Sequence, residues 1–341
     1  MRERVHCTET AGHIAVTEVA DSVSQIDDGE EKPMARLVVG RLIQALSTIF
    51  VVVTIAFALG RLSGSPAALL LSENASREQI DALNASLGFD QPLWKQYLDY
   101  LVGIVTRGDF GDSYRQSGVP SMQLVLERVP ASLELGAVGL VAGVILAAVA
   151  AVAVHLTRSR ALRTTLLTVG AARQAIPDFF FGLLLVLVFS VALGMLPSLG
   201  NRDPLAIIMP AATIATAQFV VYLRLLDNAL GEQSRLDYAR TAYARGESRF
   251  HVVVSEMLPN AVLPVMTIAG ISLGSFLGGL VIVENVFAWP GLGQLMLSAV
   301  YARDFPVVQS GLIVVAALFI LSNALVDVLS ALVDPRVRHL A

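Results

Sequence analysis

The sequence predicts an all-α integral membrane protein with six transmembrane helices. Of 341 residues, 55% are hydrophobic and only 15% charged, against roughly 25% charged in soluble domains. The mean hydropathy is +0.67. Six apolar stretches reach the roughly 20 residues that a helix needs to cross a hydrocarbon core about 30 Å thick. They run over about 37–59, 133–154, 164–196, 205–226, 261–283 and 307–332. The third is overlong and interrupted by Arg173, Gln174, Pro177 and Asp178. It therefore starts late, kinks at Pro177 or lines an aqueous cavity.

Composition also excludes function classes. A net charge of −4 with scattered basic residues leaves no nucleic-acid footprint. The single cysteine, Cys7, rules out disulfides within the chain, and no apolar run precedes it to suggest lipidation. His6, His13, His155, His251 and His339 show no metal-ligand spacing, so no metal is expected. No GxxxxGK[ST] or HExxH occurs and no catalytic residue is assigned, so nucleotide phosphates have no cradle in this chain. Residues 1–35 form an acidic tail without an apolar core, expected to be disordered and cytosolic, with no signal peptide. Residues 36–341 form the membrane domain.

Arginine placement sets the orientation. The link between spans two and three carries Arg158, Arg160 and Arg163 without an acid, and the segment after span six carries Arg336 and Arg338. The opposite loops pair Arg202 with Asp203 and Arg303 with Asp304. The first group is placed in the cytoplasm, with both termini. The external segment, about 61–130, is long enough for structure. Ile80, Leu83 and Leu87 fall at helical spacing before Gly88, and Pro92 can open a second helix. Its Trp94, Tyr97, Leu98, Leu101 and Val105 share a face suited to a membrane interface or to a cap on the spans.

The cytosolic loop at about 227–260 carries the strongest pattern. Leu236, Ala239, Thr241, Ala242, Tyr243 and Ala244 favour helix, Gly246 permits a turn, and Phe250 to Leu258 resumes an apolar helical run. By pattern alone this is either a lever lying on the membrane surface or an ordinary helical hairpin. In span five, Gly270, Gly274 and Gly278 recur every fourth residue. Such a face permits close helix contact, either within the chain or with a second subunit. Asp178 and Asp327 are costly in lipid, on the order of 3 kcal/mol at a helix centre. Each either lines a pathway or clamps helices together. Glu134 and Asp227 lie near span ends and are expected to be solvated structural acids.

The run from Asp237 to Pro259 resembles the EAA loop of ABC importer permeases. Gly246 and the pair Leu258-Pro259, twelve and thirteen residues on, fit that spacing. Arg240 and Thr241 replace the opening acid and first alanine, while Ala242 matches the second alanine. DYARTAYARG is similar to the dipeptide and oligopeptide branch, which also includes nickel permeases. The resemblance extends over residues 37–338. It includes Gly88-Phe89-Asp90-Gln91-Pro92-Leu93-Trp94, Glu127-Arg128-Val129-Pro130-Ala131-Ser132-Leu133-Glu134-Leu135, Val283-Glu284-Asn285-Val286-Phe287-Ala288-Trp289-Pro290-Gly291-Leu292-Gly293 and Asp334-Pro335-Arg336. One departure stands after span one, where Ser63-Gly64-Ser65-Pro66 replaces the common Pro-Gly-Asp-Pro.

The resemblance implies a type I importer permease in a bacterial cell membrane, moving short peptides inward. It implies a second, related permease subunit, two ABC ATPase subunits that hold ATP and magnesium, and an external substrate-binding protein. Arg240, Ala242, Tyr243, Arg245 and Gly246 are then the expected ATPase contact. The alternatives are import of nickel or another small solute and, in a different class, a stand-alone secondary transporter or channel. A membrane-embedded enzyme is disfavoured because no catalytic cluster is found.

Overall fold

A computed structural model describes residues 31–62, 67, 71, 75–86 and 88–333, except for the side chains of residues 31–39, 42, 86, 271, 273–278 and 325–333. Cys7 and the rest of the tail to residue 30, Ser63-Gly64-Ser65-Pro66, Leu87 and Asp334-Pro335-Arg336 lie outside the described residues. So do the side chain of Asp327 and the surroundings of Gly274 and Gly278.

The chain divides into a unit of Met1–Phe50 with Asp334–Ala341 and a unit of Val51–Val333. In the first, the described residues 31–50 are helical, and Ile43, Leu46 and Phe50 are exposed, as on a lipid-facing helix. In chain order the helices are α1 Glu31–Leu62, α2 Arg77–Ser86, α3 Leu93–Arg107, α4 Ser121–Thr157, α5 Arg160–Ala175, α6 Asp178–Leu185, α7 Ile208–Gln233, α8 Asp237–Ala244, α9 Leu258–Val286, α10 Leu292–Ala302 and α11 Phe305–Val333. A wide turn at Val186–Ala192 prolongs α6, and another at Val252–Met257, preceded by Arg249–His251, leads into α9. Among the described residues the only β feature is the bridge between Asp112 and Pro120.

Five helical runs are long and apolar enough to cross a membrane: Ile43–Leu62, Ser121–Thr157, Pro204–Gln233, Arg249–Gly270 and Phe305–Ala324. The sixth expected span is a pair, Arg160–Ala175 and Asp178–Ala192, bent by 103°. The kink falls at Pro177, whose ring disfavours helix at Ile176. The second arm is about 22 Å long at 1.5 Å per residue, short of the hydrocarbon core. The overlong stretch is thus a bent element rather than one straight span.

α4 and α7 lie parallel, as Gly139 against Ile214, Gly143 against Ala215 and His155 against Asp227 show. A β-carbon at Gly139 would approach Ile214 Cβ to 2.7 Å, and one at Gly143 would come within 3.1 Å of the Ala215 carbonyl oxygen. Lipid tails are as apolar as the helices, so close backbone approach must supply the attraction between them. α9 joins the pair in the opposite direction, with Leu280 close to Gly136. At one end of this bundle Leu226, Leu230, Ala239, Ala242, Val253 and Met257 form a core with α8. At the other, Leu135, Met209, Ile214, Leu280, Phe287 and Trp289 cluster. Gly139→Val should cost about 3 kcal/mol, within the usual range for overpacking a closely packed core. Thermal unfolding of the purified subunit in mild detergent measures it, with Gly40→Val, where the added carbon meets nothing within 4 Å, as the comparison.

The helices between the first two spans form where the pattern places them. Ser76 and Gln79 make a reciprocal capping box at the start of α2. Gly88 (φ 71°) turns the chain before Pro92 opens α3. The expected single apolar face of α3 is divided, however. Tyr97 bonds the Thr54 hydroxyl at 2.7 Å and lies beside Phe57, whereas Trp94, Leu98 and Val105 remain exposed. Residues 121–130, expected in the external segment, belong to α4.

Candidate functional site: the Gly246 loop and the polar anchors

The described helices leave residues 234–248 as the connection between α7 and the helical run that starts at Arg249, a shorter loop than the expected 227–260. α8 ends in a Schellman turn. Gly246, at φ 84°, donates its N–H to Tyr243 O at 3.0 Å, and Glu247 N–H reaches Ala242 O at 3.2 Å. Ser248 then caps the next helix, accepting from His251 N–H at 3.2 Å. Helix, left-handed glycine and capped helix follow each other with two residues between, so the turn is rigid by construction. The wide turn at Val252–Met257 leads to Pro259, which has no N–H for the helical ladder and so favours the extra residue before it.

The five residues expected to contact a partner do not all face the same way. Arg240, Tyr243, Arg245 and Gly246 are exposed. Ala242 is 1% exposed and lies with Ala239 on the inner face of α8, against Val252, Val253 and Met257. Spacing of three residues puts both alanines on one side of the helix. Ala242 therefore packs inside the chain, where an exposed contact was expected. Two large apolar residues join the outer face, Leu236 and Phe250, the latter 62% exposed. Phe250 had the pattern of a buried helical residue. Its outward direction follows from the helix starting at Arg249, which the sequence pattern does not fix. Arg240 makes a loose pair with Asp237 at 3.9 Å, and Arg245 pairs with Glu247 at 3.0 Å. Tyr238 donates its hydroxyl to Gln233 Oε1 at 2.6 Å, tying the start of α8 to the end of α7. Burial pushes the Tyr238 hydroxyl pKa up, while a hydrogen bond with Asn260 pulls it down.

His251 was not expected to belong to any ligand set, yet Glu247, His251 and Glu256 bring ligand atoms within 4.8 Å of one another. The wide turn does this by aligning residues five apart. Glu247 is already paired with Arg245 at 3.0 Å, and His251 Nε2 stands 3.6 Å from it.

Asp178, expected to line a pathway or clamp helices, lies at the bend. It is half exposed and accepts from Arg173 Nη2 at 3.0 Å. The buried Arg173 also donates to Thr216 Oγ1 (3.0 Å), Ile176 O (3.1 Å) and Thr213 O (3.0 Å), and its guanidinium stands 3.8 Å over the Phe181 ring. One arginine thus occupies the Ile176 carbonyl at the break and, through Thr213 and Thr216, holds both arms to α7. Arg173→Met removes these partners and should cost about 2 kcal/mol, the lower side of the usual loss because Asp178 keeps access to solvent. Midpoint unfolding of the solubilised subunit checks it, with Arg173→Lys retaining part of the loss because an ammonium cannot make the forked contacts.

Asp227, expected to be solvated at a span end, is instead buried. Arg163 Nε donates to it at 2.6 Å and His155 Nδ1 stands 3.8 Å away. Glu134 stands exposed. Gly270 is buried within the chain.

The opposite end holds two buried acids to which sequence reasoning gave no role. Glu284 is fully buried. It accepts from Ser132 Oγ at 2.5 Å and from Gln294 N–H at 2.9 Å. Ser132 accepts in turn from Leu292 N–H at 2.7 Å, and Trp289 Nε1 donates to Ala131 O at 2.9 Å. Two motifs quoted separately from the sequence, Pro130-Ala131-Ser132 and Glu284 to Gly293, are therefore one interlocking structure. Gly291 and Gly293 are required by proximity, since a β-carbon at either would collide with Glu284 or with the Val281 backbone. Asp304 accepts from Ser113 Oγ and from Tyr114 N–H at 3.0 Å, fastening the segment before α4 to the start of α11. Burial pushes the neighbouring Tyr114 hydroxyl pKa up to about 12, against the opposing pull of Arg61.

Residues 139–339 match the model of the family described as binding-protein-dependent transport system inner membrane component, and residues 34–135 match the model of its N-terminal region. The chain belongs to this family of ABC importer permeases. It is 36% identical over 346 residues to the di/tripeptide transport system permease protein DppB of Pseudomonas aeruginosa (strain UCBPP-PA14), covering 90% of this chain and 99% of that protein. It is also 36% identical over 307 residues to the glutathione transport system permease protein GsiC of Escherichia coli (strain K12), covering 90% of this chain and 100% of that one. The permease is thus an all-α, multi-pass membrane protein and the transport subunit of a binding-protein-dependent importer.

Proposed function

We propose that this permease carries dipeptides or oligopeptides into the cell, and that the loop around Gly246 is where ATP-driven closure of a partner is received. The observation that carries the reading is the two-faced lever. Its inner side, Ala239 and Ala242, is buried against the base of α9, while Leu236, Arg240, Tyr243, Arg245 and Phe250 are left open. Exposed apolar and arginine side chains on a rigid element have the composition of a protein contact surface. The relatives that transport di/tripeptides and glutathione support the cargo class.

In this reading the open face seats on an ABC ATPase subunit, which supplies ATP and magnesium because this chain has no phosphate-binding loop of its own. A second, related permease completes the pathway, and an external binding protein delivers the peptide. Arginines at 158, 160 and 163 favour a cytoplasmic loop end with both termini inside. Closure of the ATPases pushes the lever. Because Tyr238 and the buried alanines tie α8 to α7 and α9, the push reaches the spans as a rigid-body shift between two states.

Purification of the tagged subunit in mild detergent should bring two ATPase chains and a second permease. With the binding protein added, proteoliposomes of that complex should take up labelled dipeptide in proportion to ATP hydrolysed. Uptake of nickel ion or another small solute with no uptake of any peptide would overturn the cargo assignment. A lone oligomer without an ATPase would overturn the coupling.

A further inference from the structure

A concave pocket of about 550 Å³ lies at the end of the bundle that carries the lever, and nothing in the proposed transport cycle uses it. It is lined by the end of α4 (His155, Arg158), the start of α5 (Arg160, Arg163), the end of α7 (Asp227, Glu232, Arg235) and Arg249. Arg163 is answered by Asp227. No described carboxylate comes within ion-pair distance of Arg158, Arg160, Arg235 or Arg249, and Glu232 is the one other acid in the lining. Nε of Arg249 is buried with no hydrogen-bond partner among the described residues. A preference for arginine at one membrane face explains why such residues occur here. It does not explain why three stretches of the chain, 154–163, 227–235 and Arg249, converge them on one hollow around an unpaired donor. Unopposed guanidinium groups of this kind match a phosphate, which accepts their paired N–H bonds.

We propose that this pocket binds a phosphate group, and that its source is the headgroup of an anionic phospholipid. The pocket lies at the ends of α4 and α7, two helices long and apolar enough to be spans, with Val154 in its wall. A headgroup is held at that depth by its own acyl chains, and basic pockets between spans take such headgroups. Bound phosphate would bridge the α4–α5 turn to Arg235 and Arg249, the residues on either side of the lever, and so stiffen the base on which the lever turns. The inference rests on the membrane placement of the spans and not on the peptide cargo.

The test uses the full transporter complex in nanodiscs of phosphatidylcholine with increasing phosphatidylglycerol. Retained lipid is counted by native mass spectrometry, and inorganic phosphate is titrated in a parallel series by thermal shift. The unmodified complex should retain phosphatidylglycerol over phosphatidylcholine, and Arg158→Gln should lower that retention about fivefold, as should Arg160→Gln. The two single changes serve as mutual controls, because Arg158 and Arg160 are exposed and either can be read if the other misfolds. Protection by inorganic phosphate that the variants abolish, without preference for phosphatidylglycerol, would keep the phosphate site and overturn the lipid source. Equal retention by both variants and the parent, with no phosphate response, would overturn the proposal. Unchanged lipid retention with loss of the ATPase subunits from the variants would assign the arginines to a protein contact instead.

Discussion

Gly246→Pro should reduce peptide uptake to about a hundredth while the subunit still inserts. Proline fixes φ near −65°, whereas residue 246 stands at 84°, and it removes the N–H that closes onto Tyr243 O. The local cost is about 3 kcal/mol, or a factor of more than 100 in the population of the correct turn. The substitution acts on geometry, since a β-carbon at 246 would meet nothing within 4 Å. A graded series separates conformation from contact. Gly246→Asn should retain most uptake because asparagine tolerates the left-handed region, and Gly246→Ala should fall between, at about 1 to 2 kcal/mol. If alanine and proline behaved alike, the side chain rather than the turn would be at fault. ATP hydrolysis measured beside uptake in proteoliposomes should rise per peptide moved as the turn is lost.

Glu284→Ala should be the most destabilising change at the other end of the bundle. The carboxylate has no exposed surface, and its removal strands the Ser132 hydroxyl and the Gln294 N–H in a hollow shaped around it. Removing the acceptor of two buried hydrogen bonds costs about 3 kcal/mol. For a chain of 341 residues that corresponds to a fall of about 4 °C in Tm. Glu284→Gln keeps an acceptor for Ser132 and should recover about half of the loss. Ser132→Ala should lose stability as well, and the double change Ser132→Ala with Glu284→Ala should cost less than the sum, because both act on one network. Tm in detergent, with surface expression as a second reading, decides this.

Much of this arrangement is legible in the sequence because lipid restricts the choice. With every backbone group to be satisfied internally, long apolar runs must be helices, although the second begins at Ser121, twelve residues before the expected start, and the third is a bent pair. The break at Pro177 and the turn at Gly246 were readable because proline and glycine act locally. What could not be read depends on which residues meet across the fold. Arg173 looked like an interruption, and only the packing of α5 and α6 on α7 shows it to be the centre of the bend. Glu284 lay inside a quoted motif, but its partner Ser132 is 152 residues away. Ala242 was assigned to the partner surface on resemblance. Its inward direction depends on where α8 starts, and pattern alone leaves such boundaries uncertain. Phe250 was missed for the same reason.

The coupling claim is tested most directly by photo-cross-linking in the assembled transporter. A benzoylphenylalanine placed at Tyr243, on the open face of the lever, should form an adduct with an ATPase subunit on illumination. The same group at Met195, exposed in the turn that follows the α6 extension, should form none with that subunit. An adduct confined to Tyr243 and lost in Gly246→Pro is the result the account predicts. No ATPase adduct at Tyr243, or equal adducts at both positions, would contradict it.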